Sequence, residues 1–330
     1  MTQTKIGIIG GGSIGSYFAI KLSSAGYKPI ILGRINHQEK NAVLISDRKI
    51  ISGVVKQVNN YENTFDLLII AVKSYNLEKV YNDYGNIMNN SQNIVFVQSN
   101  LNFIKDSIPF DPARIFFCPI LFSAVGNYHS VVYELNKGNV ILGTKQGQKE
   151  NISFIKNIFE NISPTFLSSS IYFDLFVKVI VNTSLFPLSI ILKTDFGTAF
   201  SKNNHMVLAT KIFSECIQLA KLAFNHNENL LFGRVLKDIY EDELTILLKE
   251  ILEKYSKVIP SVLFDLLQGK SITELPFFFD DVINMGLEHN YEMPILKQVQ
   301  NELNRTLQNK QSFDDSYRLL MELTNKLRRT

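Results

Sequence analysis

A glycine-rich segment close to the start of the chain constrains the fold more than any other feature. Residues Lys5–Gly15 read Lys-Ile-Gly-Ile-Ile-Gly-Gly-Gly-Ser-Ile-Gly, with glycines in the spacing G-x-G-x-x-G. An apolar run that predicts a strand precedes the motif, and an amphipathic segment, Ser13–Ala25, predicts a helix after it. In this context the first glycine permits a tight turn, the second lets the backbone approach a pyrophosphate, and the third lets helix and strand pack closely.

This segment predicts a Rossmann-type dinucleotide site. The ligand phosphates would bind backbone N–H groups at the N-terminus of the predicted helix, where the helix dipole favours negative charge. A glycine-rich turn that binds no ligand is the alternative, but the strand before the motif and the helix after it favour binding. The residues predicted to form the site are Gly10, Gly11, Gly12, Ser13, Ile14 and Gly15.

In the rest of the first half of the sequence, short apolar runs alternate with amphipathic segments, a pattern typical of a parallel sheet with helical crossovers. Uninterrupted apolar runs such as Leu67–Val72 are expected for strands that are buried on both faces. Val131–Leu135 and Val140–Leu142 flank Asn136–Gly138 and are predicted to form a strand pair. The other predicted elements are strands at Lys5–Ile9, Pro29–Leu32, Ile94–Gln98 and Ile115–Leu121 and a helix at Asn151–Glu160.

The pattern changes near Ser168–Ser170, after which strand signals are almost absent and helical periodicity dominates. We therefore predict an α/β fold with an N-terminal Rossmann-type domain over residues 1–168. A C-terminal all-helical domain is predicted over residues 169–330. Its predicted helices are Tyr172–Leu192, Met206–Phe224, Glu241–Tyr255, Ser261–Leu267, Pro276–His289, Pro294–Leu307 and Asp314–Leu327.

The end of the second predicted strand indicates which dinucleotide is bound. NAD-specific sites place Asp or Glu there to bind the ribose 2′-hydroxyl, but this strand runs Ile-Ile-Leu-Gly-Arg and no acid follows before Glu39. Arg34 can form charge-assisted hydrogen bonds to a 2′-phosphate, and Lys73 is a second candidate cation at the same edge of the sheet. We therefore expect NADP(H) in preference to NAD(H), the alternative being that both cations are solvated surface residues.

Composition argues against several other classes of protein. The 34 basic and 31 acidic residues leave a net charge of +3, which is too even for a nucleic-acid-binding or membrane-surface protein. The most apolar stretch, Ile171–Leu192, contains charged residues and a proline, which predicts a buried helix of a soluble domain. Met1–Lys5 shows no secretory signal, and Cys118 and Cys216 are expected to be buried free thiols, so we expect a cytoplasmic protein.

A reductase that uses such a cofactor needs a proton donor for the substrate oxygen. Lys178 is the best candidate because it lies inside an apolar predicted helix, where burial disfavours the ammonium and makes it a better donor. Asn182 lies four residues later on the same helical face and can orient the substrate or the lysine. The alternative is a lysine that extends from a half-buried helix into solvent. The five histidines are scattered without metal-ligand spacing, so we expect no metal.

A series of short motifs extends over essentially the whole chain. The motifs are Ile9–Ser16, Leu32–Arg34, Ala71–Tyr75, Phe176–Asn182, Pro187–Leu188, Ser261–Asp265, Thr273–Glu274 and Gly286–Pro294. By these motifs the chain resembles the ketopantoate reductase family. The later motifs are modest individually, whereas their order and spacing together are specific, and the separation of Glu274 from Pro294 fits the family without a gap.

The resemblance implies NADPH-dependent reduction of a 2-oxo acid to a 2-hydroxy acid, ketopantoate to pantoate being the family reaction. Lys178 matches the catalytic lysine of the family, which is its proton donor. Glu274 matches an acidic residue that supports the active site, and Asn182 and Ser261 match substrate-binding positions.

The resemblance also assigns cofactor and partner expectations. Arg34 and Lys73 match the residues that hold the 2′-phosphate. Ser99 stands at the position of an asparagine on the nicotinamide side. A small-molecule 2-oxo acid is the expected partner, and the helical domain can form the seam of a homodimer.

The chain departs from the family pattern around the expected site. Where the family has Gln-Asn-Gly-x-Gly, residues 98–102 read Gln-Ser-Asn-Leu-Asn, without either glycine. Phe186 and Val258 replace asparagines, and residues 274–280 read Glu-Leu-Pro-Phe-Phe-Phe-Asp in place of Glu-x-Asp-x-x-Asn-Gly. These changes replace polar groups with apolar ones, so a less polar 2-oxo acid or ketone is an alternative substrate.

A non-enzymatic dinucleotide-binding protein is a second alternative. It is indicated by the altered segment 98–102 and by the run Phe277–Phe279. If that run forms a large exposed apolar patch, it would mark an interaction surface, since such patches are uncommon on proteins without partners. Burial in a core is the simpler interpretation of these phenylalanines.

Overall fold

The computed structural model of the chain describes residues 4–33, 37–47, 49–59, 61, 64–101, 108–129, 131–146, 149–225, 229–270 and 273–328. These residues form two compact units. The first contains the described residues up to Ser99 and from 108 to Asp174, and the second contains Asn100, Leu101 and the described residues from Leu175 onward. The division at Asp174 falls inside a helix, and the predicted boundary near residue 168 stays a prediction.

The first unit is built on one sheet, which contains nine strands of the described residues in the order β7-β6-β5-β1-β2-β4-β3-β9-β8. Strands β7, β6, β5, β1, β2 and β4 run parallel, β3 pairs antiparallel with β4, and β9 runs parallel to β3 and antiparallel to β8. The strands are β1 Ile6–Ile9, β2 Ile30–Leu32, β3 His37–Ser46, β4 Lys49–Val58, β5 Leu67–Ile70, β6 Ile94–Phe96, β7 Ile115–Phe117, β8 Ser123–Val125 and β9 Val131–Asn136.

Helices complete the first unit. They are α1 Ser13–Ser24, α2 Leu77–Asn90 and α3 Lys149–Phe159, together with short 3₁₀ turns at Ser74–Asn76 and Pro112–Arg114. All residues of β1 and β5 are buried, as expected for central strands of a parallel sheet. The predicted α/β fold class is therefore confirmed for this half of the chain.

The predicted pairing of Val131–Leu135 with Val140–Leu142 is wrong. Both strands form, but β9 pairs with β3 and β8, whereas Val140–Leu142 (β10) pairs in parallel with Thr165–Leu167 (β11). The residues between β9 and β10 do not form a hairpin turn. They lie beside the segment that contains Leu121, whose N–H donates to the Asn139 carbonyl at 2.8 Å. The turn signal in Asn136–Gly138 therefore marks a change of direction without fixing the partner of either strand.

The β3–β4 hairpin and α2 are missing from the sequence prediction. In β4, buried residues alternate with exposed ones from Gly53 to Gln57, but lysine, glutamine and glycine within the strand weaken the signal. The hairpin turn places Asp47 at φ +47°, a left-handed conformation that aspartate tolerates. Helix α2 buries only three residues, so its apolar face is too narrow to be obvious.

The second unit is almost entirely helical, as predicted. Its helices are α4 Ile171–Leu192, α5 Phe196–Ala199, α6 Asn203–Ala223, α7 Glu241–Tyr255, α8 Ser261–Leu267, α9 Leu275–Glu288, α10 Pro294–Leu307 and α11 Phe313–Leu327. Seven of these agree with the predicted helices to within three residues at each end. The short helix α5 and a two-residue hairpin, β12 Leu230–Leu231 with β13 Arg234–Val235, were not predicted.

Helix α4 is the apolar stretch noted in the sequence. Among the described residues it is the one helix whose length and composition would allow it to cross a bilayer, and 72% of its most apolar window is buried inside the protein. A core helix passes the same test, so the finding is weak evidence for a membrane span and agrees with the predicted buried helix. Cys118 and Cys216 are free and buried, as predicted.

The start of α10 is held by a buried carboxylate from α6. Glu215 Oε1 accepts a hydrogen bond from the Ile295 N–H at 3.0 Å, and Oε2 accepts one from the Leu296 N–H at 2.9 Å. Burial raises the pKa of Glu215, and the two backbone donors oppose that rise. The carboxylate therefore satisfies N–H groups that have no partner within their own helix.

We expect Glu215→Ala to lower the free energy of unfolding by about 2–4 kcal/mol, because two N–H groups lose their acceptors in a largely buried setting. Glu215→Gln keeps one acceptor oxygen and should lose less. Urea denaturation of both variants measures the difference. A loss below about 0.5 kcal/mol for the alanine variant, the range of ordinary surface changes, would contradict this role.

Candidate functional site

The strand order of the first unit contains a topological switch point at β1. Strand β1 lies between β2 and β5, so the chain leaves β1 toward one neighbour and later returns to pair with it on the other side. In open parallel sheets, ligands bind outside the carboxyl ends of the strands at such a switch point. The glycine turn follows β1 at this edge.

Two positions in the turn require glycine. Gly10 has φ +110°, and a Cβ there would lie 2.7 Å from the Ala71 carbonyl oxygen. A Cβ on Gly15 would lie 1.8 Å from the Gly10 carbonyl oxygen, so α1 packs against the turn more closely than any side chain permits. The Ala71 N–H donates to the Ile9 carbonyl at 2.8 Å, which fixes the turn beside the segment that follows β5.

Gly12 differs from both because it faces open space. It is exposed and extended (φ −73°, ψ −169°), and a Cβ on it would meet nothing within 4 Å. Among the described residues no side chain caps the start of α1, and its first turn contains no acid. The first N–H groups of a helix can bind an anion, which the helix dipole favours, and the open space at Gly12 leaves room for the predicted diphosphate.

The segments that follow β5 and β6 lie at the same edge. Lys73 is half-buried and stands two residues after Ala71, which packs against Gly10. The Gln98 side-chain amide donates to the Val72 carbonyl at 2.9 Å and joins the segment carrying Ser99 to the one carrying Lys73. The structure thus brings the predicted residues Lys73 and Ser99 to the edge that carries the glycine turn.

Arg34 lies outside the described residues. Gly33, directly before it, continues β2, and its N–H donates to the Val58 carbonyl at 2.9 Å. The tip of β2 therefore lies beside the end of β4.

In the second unit, Lys178 and Asn182 lie one turn apart on α4 and are both half-buried. The neighbouring residues Thr183 and Ser184 are buried, and their hydroxyls donate to carbonyls one turn earlier, at 2.7 and 2.8 Å. Lys178 and Asn182 therefore share the less buried face of a helix that is otherwise part of the core.

The remaining predicted residues of this unit stand at the beginnings of helices. Ser261 is the exposed first residue of α8, and Glu274 is half-buried immediately before α9. A carboxylate at a helix N-terminus is favoured by the helix dipole. The predicted roles of Ser261 and Glu274 beside Lys178 stay predictions.

The phenylalanines near these helices belong to the core. Phe186 is 4% exposed, Phe278 3% and Phe279 1%. The ring centroids of Phe186 and Phe278 are 5.7 Å apart with the rings nearly perpendicular, and Phe186 also stacks on Phe196. The run Phe277–Phe279 therefore forms no large exposed patch, which removes one argument for a non-enzymatic partner-binding protein.

Sequence reasoning missed a hydrogen-bonded group behind the glycine turn. The Tyr128 hydroxyl donates to Gln57 Oε1 at 2.6 Å, and the Tyr128 N–H donates to Ser16 Oγ at 3.0 Å. The Ser16 hydroxyl in turn donates to the Gly11 carbonyl at 3.1 Å. These residues are widely separated along the chain, so no local pattern could have revealed them.

A second contact that the sequence did not reveal lies within the second unit. The Leu101 N–H donates to Asp281 Oδ2 at 2.7 Å, and Asp281 is buried. Leu101 is therefore anchored to α9 within the second unit.

Two family models and several known proteins match most of the chain. Residues 6–147 match the family model described as ketopantoate reductase PanE/ApbA, and residues 171–307 match the one described as ketopantoate reductase PanE/ApbA C terminal. The 2-dehydropantoate 2-reductase of Aquifex aeolicus (strain VF5) is 22% identical over 295 residues, which cover 87% of this chain and 92% of that protein.

Solved structures share the fold at low sequence identity. A dimeric ketopantoate reductase from Staphylococcus aureus is 18% identical with a TM-score of 0.71, over 93% of this chain and 100% of that one. D-mandelate dehydrogenase, solved with NADH and anilino(oxo)acetate, is 16% identical with a TM-score of 0.72, over 97% and 99% of the two chains. The predicted fold class is confirmed by these matches together with the family models.

We expect Gly12→Ala to fold normally and to bind a nicotinamide dinucleotide about 5- to 150-fold more weakly, since overpacking by one methyl costs about 1–3 kcal/mol. Gly85→Ala is the matched control, because its Cβ also meets nothing within 4 Å but lies on α2. That control should be neutral in binding and more stable by about 0.5–1 kcal/mol. Titration calorimetry and thermal unfolding measure both effects, and equal affinity in the two variants would contradict a phosphate site at Gly12.

Proposed function

This chain belongs to the ketopantoate reductase family, and from that premise we propose that it reduces a 2-oxo acid to the corresponding 2-hydroxy acid with NADPH. Ketopantoate to pantoate is the reaction that the family name suggests. The observation that carries the proposal is that both halves of the chain match the family in order, with the glycine turn in the first and Lys178 in the second.

The first unit would hold the cofactor. The N–H groups at residues 10–15 would bind its diphosphate, Arg34 and Lys73 would bind the 2′-phosphate, and Ser99 would lie on the nicotinamide side. When bound, the reduced nicotinamide supplies a hydride to the substrate carbonyl carbon. NAD-specific sites carry an acidic residue at the end of the second strand, and Leu32–Gly33 contains no acidic residue, which supports binding of a 2′-phosphate.

The second unit would supply the acid chemistry. Lys178 would donate a proton from Nζ to the carbonyl oxygen of the substrate as that oxygen gains charge. Asn182, one turn later on the same face of α4, would orient the substrate through its amide. Ser261 would contact the substrate, and Glu274 would support the site with its carboxylate.

The activity is tested with purified protein, ketopantoate and a panel of branched and aromatic 2-oxo acids. We expect falling absorbance of the reduced nicotinamide with at least one of them, faster with NADPH than with NADH. A less polar substrate than ketopantoate is the second candidate, because Phe186 fills the core where the family has an amide. Binding of NADPH without turnover across the panel would favour the non-enzymatic alternative.

The proposed role of Lys178 as proton donor is tested by substitution. Lys178→Met keeps most of the side-chain volume and should lower kcat by about 10²–10⁴-fold, the usual contribution of general acid catalysis. Lys211→Met is the matched control, since Lys211 lies on α6 in an exposed ion pair with Glu241 at 3.2 Å. Unchanged kcat in the Lys178 variant, with thermal unfolding as the folding check, would end the proposed role.

We also propose that the chain acts as a homodimer in the cytoplasm. The Staphylococcus aureus reductase that shares the fold is described as dimeric, which supports a similar assembly here. Sedimentation velocity of the purified chain should give about twice the 37.6 kDa of one chain. A single species of monomer mass at micromolar concentration would contradict the dimer.

A further inference from the structure

The carboxamide of Gln57 lies between two glycines that belong to different parts of the dinucleotide site. A Cβ on Gly33, at the tip of β2, would lie 2.5 Å from Gln57 Nε2. A Cβ on Gly11, in the phosphate turn, would lie 3.1 Å from Gln57 Oε1. Gln57 itself is buried near the end of β4, where it pairs with Ile31 of β2. Its polar end therefore occupies the space between the phosphate turn and the tip of β2.

Tyr128 fixes the orientation of this amide. Its hydroxyl donates to Gln57 Oε1 at 2.6 Å, and burial raises the pKa of Tyr128 to about 12, so the hydroxyl remains a donor at neutral pH. Through its N–H, Tyr128 is also tied to Ser16 Oγ, whose hydroxyl donates to the Gly11 carbonyl. Because Oε1 accepts the hydrogen bond from the Tyr128 hydroxyl, Nε2 is the polar atom of Gln57 that lies nearest to Gly33.

The location matters because the tip of the second strand is where dinucleotide folds read the adenosine ribose. A carboxylate there accepts bonds from the ribose hydroxyls and repels a 2′-phosphate. A side chain on Gly33 would collide with Gln57, so an acid at this position cannot be accommodated while the amide stays in place. The uncharged N–H donor of Gln57 tolerates a phosphate dianion where a carboxylate would not.

We propose that Gln57 is a specificity-determining residue for the adenosine end of the cofactor. Its amide lines the ribose subsite between Gly11 and Gly33 and favours a 2′-phosphate over a free hydroxyl, and Tyr128 is the positioning residue that holds it. The inference rests on the proposed binding of a nicotinamide dinucleotide at the glycine turn, and it does not depend on turnover or on the identity of the 2-oxo acid.

The test uses two fragments that differ only in the 2′-phosphate, 2′,5′-ADP and 5′-AMP, with dissociation constants from titration calorimetry on the full chain. Gln57→Glu keeps the shape of the side chain and adds one negative charge. We expect it to weaken 2′,5′-ADP about tenfold or more relative to 5′-AMP, as one like-charge contact near a protein surface would. Gln298→Glu makes the same change on an exposed position of α10 and should leave the ratio unchanged.

Two further variants keep the test decisive if Gln57→Glu folds poorly. Gln57→Met removes the donor without adding charge, and Tyr128→Phe removes only the hydroxyl that orients the amide. Both should shift the ratio toward 5′-AMP severalfold, and thermal unfolding should show that both remain folded despite the loss of one buried hydrogen bond. A merely structural role would weaken both fragments equally.

The outcomes separate this inference from the proposed function. If the parent protein binds 2′,5′-ADP and the ratio is unchanged in all three variants, the role of Gln57 is overturned while the cofactor site stands. If the parent protein binds neither fragment nor NADPH, the proposed cofactor site fails, and the inference fails with it.

Discussion

The contact between Gly15 and the Gly10 carbonyl is the constraint on which the first unit depends. A Cβ at residue 15 would lie 1.8 Å from that oxygen, so α1 can begin where it does only because residue 15 has no side chain. This contact sets the start of α1 directly over the end of β1. The first N–H groups of α1 then lie next to Gly12, where a Cβ would meet nothing within 4 Å, so an anion bound there would be held by backbone groups.

The sequence was most informative where the signal is local. The glycine turn, the buried central strands and seven helices of the second unit follow from periodicity and spacing within a few residues. The pairing of a strand with its neighbours is not determined by the residues next to it in the sequence. For this reason the predicted partner of Val140–Leu142 is wrong, and the β3–β4 hairpin is missing from the prediction. A turn signal shows that the chain changes direction, whereas the partner of a strand depends on apolar surface supplied by distant segments.

The same distinction holds for the candidate site. Lys178 is indicated by its place inside an apolar predicted helix, and Asn182 by its position four residues later on the same helical face. Both residues are half-buried in the structure. The link from Ser16 through Tyr128 to Gln57 joins residues up to 112 positions apart, and Asp281 reaches Leu101 over 180 positions. Contacts of this kind are set by the folded topology, so a sequence without related sequences beside it gives no sign of them.

The substitution of polar residues by phenylalanine has a consequence for what the second unit can recognise. Phe186 and Phe279, which stand where the family has asparagines, are buried, and Phe186 packs against Phe278, so neither position offers an amide to a substrate hydroxyl. A substrate hydroxyl that loses its hydrogen bonds to water on binding would find no amide in their place, which costs free energy. Lys178 and Asn182 keep the groups that a carboxylate and a carbonyl need, because both are polar and only half-buried. Under the proposed function, Lys178 and Asn182 would bind the 2-oxo acid unit that reacts, and recognition of the rest of the substrate would shift from hydrogen bonding toward apolar contact.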